Sequence, residues 1–127
     1  EKYRGKYVLI DFWGMFCGPC RSGIERSKPM REALRNHPDV DFLFISTEGE
    51  GPEENYRNYV DEHLSGEDVV QVSRDDFNRL MELFNFLGIP HYETLDRMGN
   101  VVRSGLRYAP EEQFRLHLED LKRQLEP

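Results

Sequence analysis

Cysteines and long apolar runs are scarce in this 127-residue sequence, and basic residues are fewer than acidic ones. Lys and Arg total 17 against 24 Asp and Glu, a formal net charge of -7, so the molecule repels phosphate backbones and anionic lipid surfaces. Nucleic acid is therefore not an expected partner. No apolar run approaches the roughly 20 residues of a membrane span, and no charged-then-apolar leader opens the chain. We expect a domain that does not itself span a membrane.

The length fits a single domain that buries one core without help from disulfides. The sequence contains no repeat, low-complexity tract or linker, so we predict one domain over residues 1–127. Because the chain starts at Glu1 without a methionine, we expect it to be a processed or excised piece of a longer protein.

The pattern of apolar residues predicts alternating strands and helices. Strands are predicted where apolar, β-branched and aromatic residues run almost unbroken, and helices where apolar residues recur every three or four positions. The predicted elements are a strand at 6–13, a helix at 19–36, a strand at 40–47, a helix at 52–64, a short strand at 68–72, a helix at 73–88, a hairpin at 91–105 and a helix from Pro110. This order indicates an α/β protein with a mixed central sheet, parallel at first and antiparallel at its end, flanked by helices on both faces.

Particular residues are expected to start, interrupt or end these helices. Pro29 is expected to kink or interrupt the first helix. Ser73 and Asp76 form a capping-box signature for the third helix, and Gly88 is expected to end it. The apolar faces predicted for the four helices are Ile24, Ser27, Arg31 and Leu34; Tyr56, Tyr59, Val60 and Leu64; Phe77, Leu80, Phe84 and Leu87; and Phe114, Leu118, Leu121 and Leu125.

The only two cysteines, Cys17 and Cys20, lie in the stretch FWGMFCGPCRSG at 12–23. A loop closed by two intervening residues removes little entropy from the unfolded chain, so the pair is a poor structural staple. A zinc site usually needs four ligands, and the four histidines do not have the spacing of a finger or ribbon. Covalent haem requires a histidine directly after Cys20, where Arg21 stands. A reactive dithiol fits the pair best.

The local pattern also assigns different roles to the two sulfurs. A strand that ends in a Gly-containing turn and feeds a helix places Cys17 at the helix N-terminus, where free N–H groups and the macrodipole lower the pKa of the thiol below the ~8.5 of free cysteine. Cys20, one turn into the helix, is expected to be hidden and close enough to resolve a mixed disulfide. Pro19 fixes φ at the first turn, where the helix does not need its N–H.

Asp11 is the one acidic residue in the first predicted strand. A carboxyl group among apolar neighbours is expected to be desolvated, with a raised pKa, and could take the proton from Cys20 as that thiol attacks. The alternative is a strand-end carboxylate that reaches water or caps a helix.

Aromatic residues flank the cysteine turn. Trp13 and Phe16 could form an apolar rim for an extended partner chain, with core packing as an equal alternative for Trp13. A contact of His91 with substrate or thiolate is a weaker possibility. The acidic runs at 48–54 and 61–62 are expected to be solvated faces.

The stretch VLIDFWGMFCGPC closely resembles the strand and active-site turn of thioredoxin-like proteins. With YRGKY before it, an extra helix and strand at 52–72, and FLGIPHYETLDRMGNVV further on, the sequence is similar to the TlpA/ResA-type thiol-disulfide oxidoreductases of bacterial envelopes. The resemblance runs from Gly5 to about the C-terminus and implies a thioredoxin-like fold. The N-terminal strand or hairpin of that fold is mostly absent from the sequence, and we expect either that a larger parent protein supplies it or that the chain has been trimmed. Thioredoxin helices commonly carry a kinking proline where Glu25 and Arg26 stand here.

The resemblance implies roles for individual residues. Cys17 is implied to be the nucleophile, Cys20 the resolving thiol and Pro90 a cis-proline that faces the dithiol, while Asp11 occupies the place of the family's buried acid. Backbone groups of Ile89 are implied to pair with a bound substrate strand. The expected catalytic residues are Cys17, Cys20, Asp11 and Pro90, and the expected substrate-binding residues are Trp13, Phe16, Gly18, Pro19 and Ile89.

The predicted function is that of a thiol-disulfide oxidoreductase that reduces protein disulfides, because Gly18-Pro19 is the thioredoxin-like pair. It is expected to need no metal or organic cofactor beyond the redox-active cysteine pair. Its implied partners are a disulfide-containing protein and an upstream dithiol electron donor, in the bacterial periplasm or cell envelope, with the cytoplasm as the alternative. The competing hypothesis is a non-enzymatic partner-binding or redox-sensing domain of a larger envelope protein.

Overall fold

The protein is described by a computed structural model, which covers residues 3–102 and Arg123. In chain order, the elements are β1 (Tyr7–Phe12), α1 (Gly18–Arg26), α2 (Lys28–Ala33), β2 (Val40–Thr47), α3 (Glu53–His63), β3 (Asp68–Val72), α4 (Arg74–Phe84) and β4 (His91–Leu95). The predicted helix from Pro110 and the end of the predicted hairpin lie outside the described residues. No helix within the described ranges is long and apolar enough to cross a membrane.

The four described strands form one mixed sheet in the order β3-β2-β1-β4. β1 pairs with β2 and β2 pairs with β3 in parallel, whereas β4 is antiparallel to β1. The parallel pairs follow helical crossovers, as such connections require. Val101 bridges Leu95, and the Val102 N–H donates to the Thr94 carbonyl at 2.9 Å, so the hairpin is confirmed as far as residue 102.

The sheet is covered on both faces. Leu9 and Trp13 share a core cluster with residues of α1, α2 and α3, and Phe12 shares a second cluster with residues of α4. Since β1 is buried on both faces, its sequence reads as an almost unbroken apolar run. The predicted mixed sheet with helices on both faces is confirmed.

The first predicted helix is two helices that meet at Ser27. Pro29 is in the first turn of α2 and has no N–H to donate back into α1. The Ser27 hydroxyl instead donates to the Ile24 carbonyl at 3.0 Å inside the protein. The predicted interruption is confirmed, and α2 ends at Ala33 rather than near Asn36.

Arg31 occupies a buried position on the predicted apolar face of this segment. Its guanidinium donates to the Ile24 carbonyl at 2.7 Å and to the Ser27 hydroxyl at 3.0 Å, and pairs with the Glu67 carboxylate at 2.8 Å. It also lies over the Phe44 ring, 5.3 Å from its centroid. The cation is therefore buried with its hydrogen bonds made, which is the condition under which burial of a charge is tolerated.

The predicted end of α4 is wrong. The helix ends at Phe84 because Asn85 adopts the left-handed conformation, with φ 58°, which asparagine tolerates better than most residues. The Phe86 N–H then donates to the Met81 carbonyl at 3.0 Å, and the Phe86 side chain enters the core. Leu87, which was expected on the helix face, is 97% exposed.

We predict that Arg31→Met destabilises the protein, because it leaves the Glu67 carboxylate buried without its main partner. The expected loss in the free energy of unfolding is about 3–5 kcal/mol, measured by urea denaturation. Arg35→Met is the matched control, since the Arg35 side chain is 43% exposed and its contact with the same carboxylate oxygen is longer, at 3.5 Å. That variant should lose no more than about 1 kcal/mol. Equal losses from the two variants would contradict this account.

Candidate active site

The turn between β1 and α1 holds both cysteines. Cys17 is the N-cap of α1, and its sulfur accepts the Cys20 N–H at 3.2 Å. The Cys17 N–H donates to the Gly14 carbonyl at 3.1 Å, which closes the turn. Pro19 is in the first helical turn, where its missing N–H costs nothing. The Cys17 sulfur therefore lies at the N-terminus of α1, where the first N–H groups have no partner within the helix.

Cys17 and Cys20 form a disulfide with 5.2 Å between their Cα atoms. Cys20 is fully buried, whereas Cys17 is half-buried and its neighbours Gly18 and Pro19 are exposed. A partner molecule can therefore approach the Cys17 side of the bond but not the Cys20 side. This asymmetry is the one expected for an attacking and a resolving sulfur.

The segment that precedes β4 lies beside the cysteine turn. The Ile89–Pro90 peptide bond is cis, as predicted. β4 starts directly afterwards, and its His91 is paired with Phe12 at the end of β1. The Ile89 Cδ1 atom is 3.0 Å from the point where a side chain on Gly14 would begin.

Asp11 is buried beneath the turn, with 1% of its surface exposed. Strand alternation places it on the face of Leu9 and Trp13, whose cluster includes Cys20. Neither carboxylate oxygen has a hydrogen-bond partner among the described residues. Burial raises the pKa of Asp11 to about 8, although the Arg31 cation acts in the opposite direction. The expected desolvation is present, and the alternative of a strand-end carboxylate in water does not describe this structure.

The two aromatic residues of the turn occupy different environments. Trp13 has no exposed surface and packs against the rings of Tyr56 and Tyr59, with centroids 5.9 and 5.5 Å away. Phe16 is 73% exposed and lies against Gly51. Trp13 is therefore a core residue beneath the turn, and Phe16 is an exposed residue of the turn.

His91 lies on the opposite face of the sheet from the cysteines. Its ring is in hydrogen-bond contact with the Glu93 carboxylate and stacks on Phe86, with ring centroids 4.0 Å apart. It also lies near Phe12, within the cluster covered by α4. Direct contact between this ring and the Cys17 sulfur is therefore not part of the site.

Two residues of the site were not predicted. Glu50 was assigned to a solvated acidic run, but its carboxylate accepts the Met15 N–H at 3.1 Å. Tyr92 is paired with Asp11 across the sheet, and burial, with the Asp11 charge as a lesser cause, raises the pKa of Tyr92 to about 12. Neither residue carries a signal in the sequence, because each contact joins segments far apart along the chain.

A disulfide-bonded CXXC pair at the N-terminus of a helix that follows the central strand of a mixed four-stranded sheet is the arrangement of a thioredoxin-fold redox protein. Residues 5–101 match the family described as thioredoxin-like. The chain belongs to the thioredoxin-like family.

Solved structures of thiol-disulfide oxidoreductases are also similar to this chain. The thioredoxin domain of a thiol-disulfide oxidoreductase from Bacteroides vulgatus is 26% identical, with a TM-score of 0.74 over 94% of this chain and 81% of that one. A thiol:disulfide interchange protein from Bacteroides sp. is 25% identical, with a TM-score of 0.71 over 96% and 74%. StoA from Bacillus subtilis, at 16% identity and a TM-score of 0.69 over 91% and 84%, shows the fold alone.

Curated protein sequences contain no significant match to this chain. The family match, the two oxidoreductase structures and the disulfide-bonded CXXC pair together confirm the prediction of a thiol-disulfide oxidoreductase that works by dithiol exchange.

We predict that Asp11→Asn stabilises the protein at neutral and mildly alkaline pH. Because the pKa of Asp11 lies near 8 in the folded protein against 3.8 in the unfolded chain, the folded state binds more protons between these values. The free energy of unfolding therefore falls as pH rises through this window. Near pH 8 the variant should gain several kcal/mol, since each pKa unit corresponds to about 1.4 kcal/mol.

The measurement is urea unfolding of the oxidised protein from pH 4 to pH 8. The gain should shrink towards pH 4, because Asp11 stays protonated in the folded protein and the pH there approaches the 3.8 at which the unfolded chain also takes up the proton. The exposed Asp61→Asn is the matched control, and its effect should stay within about 0.5 kcal/mol at every pH. A gain from Asp11→Asn that does not depend on pH would contradict the raised pKa.

Proposed function

We propose that this protein reduces disulfide bonds in other proteins, with Cys17 as nucleophile and Cys20 as resolving thiol. The observation that carries the proposal is the bonded pair in which one sulfur is accessible at a helix N-terminus and the other is fully buried. Such a pair exchanges with a partner at one sulfur only. The Gly18-Pro19 sequence between the cysteines, which is also that of thioredoxin, supports the reducing direction.

The reaction begins with the reduced protein. The Cys17 thiolate attacks one sulfur of the substrate disulfide, forms a mixed disulfide with it and expels the other sulfur as a thiolate. The Cys20 thiolate then attacks the Cys17 sulfur, releases the second substrate thiolate and closes the Cys17–Cys20 disulfide. Two electrons pass from the dithiol to the substrate, and both substrate thiolates take protons from water.

Asp11 acts in the second step. Cys20 is buried and must lose its proton before it attacks, and the ionised form of Asp11 on the same face of the sheet accepts that proton. A carboxylate with a pKa near 8 is a stronger base than an ordinary one and is still partly ionised at neutral pH. Unpartnered burial of the carboxyl is costly for folding, which supports a functional reason for its presence.

The substrate chain binds across the exposed turn. Backbone groups of Ile89 pair with it, Pro90 faces the dithiol, and the exposed Phe16 supplies an apolar contact beside Gly18 and Pro19. Trp13 contributes from below by supporting the turn. The position of Ile89 against Gly14 supports this arrangement, because it places the cis-proline segment next to the cysteine turn.

The closed disulfide must be reopened by an upstream dithiol donor, and no metal or organic cofactor is used. We place the protein among the TlpA/ResA-type oxidoreductases and in the bacterial envelope. The elements α3 and β3 support this placement, because they are the extra helix and strand predicted at 52–72, on which the similarity to this type partly rests.

Cysteine variants test the proposal directly. Cys17→Ser should abolish turnover of a protein disulfide, whereas Cys20→Ser should accumulate a mixed disulfide that mass spectrometry detects, because the resolving sulfur is missing. The reduction potential of the unsubstituted pair, followed by fluorescence of Trp13, should lie near the roughly -270 mV of thioredoxin. Turnover by Cys17→Ser would disprove the mechanism, and a potential near the roughly -120 mV of a strong oxidant would disprove the reducing direction.

The role of Asp11 predicts a pH dependence. In the unsubstituted protein, the rate at which the mixed disulfide resolves should rise with pH and level off above about pH 8, as Asp11 ionises. Asp11→Asn should slow this step about a hundredfold at neutral pH and keep only the pH dependence of the Cys20 thiol. Stopped-flow fluorescence of Trp13 measures the step. An unchanged rate and profile in the variant would exclude Asp11 as the base.

A further inference from the structure

Glu50 joins the cysteine turn to a separate segment of the chain. It lies in the connection between β2 and α3, and its Oε1 accepts the Met15 N–H at 3.1 Å. Met15 is in the middle of the turn, two residues before Cys17. This contact fixes a backbone group that no helix or strand holds, since the turn falls between β1 and α1.

The Glu50 carboxylate rests against Gly14. A Cβ atom on Gly14 would lie 2.6 Å from Oε1 and 3.1 Å from Oε2, so the absence of a side chain there makes room for both oxygens. The same point is 3.0 Å from Cδ1 of Ile89. Glu50, the cysteine turn and the cis-proline segment therefore meet at Gly14.

We propose that Glu50 is a positioning residue that holds the cysteine turn and the cis-proline segment at the separation that a substrate chain needs. A polypeptide bound between Ile89 and Cys17 must contact both segments at once, so an error in their separation weakens its binding. A small disulfide needs only access to the Cys17 sulfur and does not depend on that separation. This inference rests on the proposed function and adds to it a determinant of substrate size.

The experiment compares Glu50→Ala with Glu50→Gln in the otherwise unsubstituted protein. Glutamine keeps an oxygen that can accept the Met15 N–H, whereas alanine does not. For a disulfide-linked peptide, Glu50→Ala should lower kcat/KM about tenfold, chiefly through KM, and Glu50→Gln should stay within about threefold. For the small disulfide 5,5′-dithiobis(2-nitrobenzoate), kcat/KM of both variants should remain within about twofold of the value for the unsubstituted protein. The pH profile of the Cys17 reaction should not move.

Glu48→Ala is the matched control, because Glu48 is an exposed glutamate in the same connection. This variant should have the same kcat/KM as the unsubstituted protein for both substrates. Gly14→Ala disturbs the same contact from the other side, since the new methyl group would lie 2.6 Å from the Glu50 Oε1 and also 3.0 Å from the Ile89 Cδ1. If both changes act through one contact, kcat/KM of the double variant for the peptide should fall about tenfold. Two independent effects would instead multiply to a loss of roughly a hundredfold.

Amide hydrogen exchange at Met15 in the oxidised protein gives a readout that does not depend on turnover. Exchange there should accelerate in Glu50→Ala and not in Glu50→Gln, and thermal unfolding of each variant checks that it folds. Peptide turnover unaffected by Glu50→Ala would overturn the inference. So would a loss shared by Glu50→Gln and accompanied by a shifted pH profile, which would make the role one of charge. Lack of turnover in the unsubstituted protein, with Met15 exchange behaving as expected, would instead count against the proposed function.

Discussion

The turn that carries the chain from β1 into α1 is the constraint on which the rest of the site depends. β1 and β2 are parallel, so both end at the edge of the sheet where this turn lies, and antiparallel β4 begins at that edge. Three connections therefore converge there, contributing Cys17, Glu50 and Ile89. The sheet topology brings together residues that are far apart in the sequence, and the turn holds the reactive sulfur where they meet.

Arg31 and Asp11 are two buried ionisable residues on the same side of the sheet, and they differ in whether their charge is paired. Arg31 has partners for its guanidinium, including Glu67, and ties α2 to the segment before β3. Asp11 has no hydrogen-bond partner among the described residues, and burial raises its pKa to about 8. In the first arrangement each charge is compensated, so removal of either partner would leave a buried charge unpaired, which is costly. The second costs stability and leaves a base whose pKa is suited to a thiol reaction.

Local sequence patterns were sufficient to predict most of the helices and strands. The unbroken apolar run of β1, the helical spacing around Ile24 and the interruption at Pro29 all follow from chemistry within a few residues, and the structure agrees with each. The end of α4 did not follow, because the left-handed Asn85 competes with Gly88 as a helix terminator and buries Phe86 in place of Leu87. Spacing alone does not decide between two such terminators.

By itself, the sequence determined the redox pair, its place at a helix N-terminus and the presence of an acid in an apolar strand, because each depends on neighbouring residues and on general preferences of strands and helices. Only the tertiary structure decided that Trp13 is buried while Phe16 is exposed, that His91 lies on the far face, and that Glu50 reaches the cysteine turn. Burial and long-range hydrogen bonds are properties of the assembled layers, and no local pattern specifies which distant segments will meet.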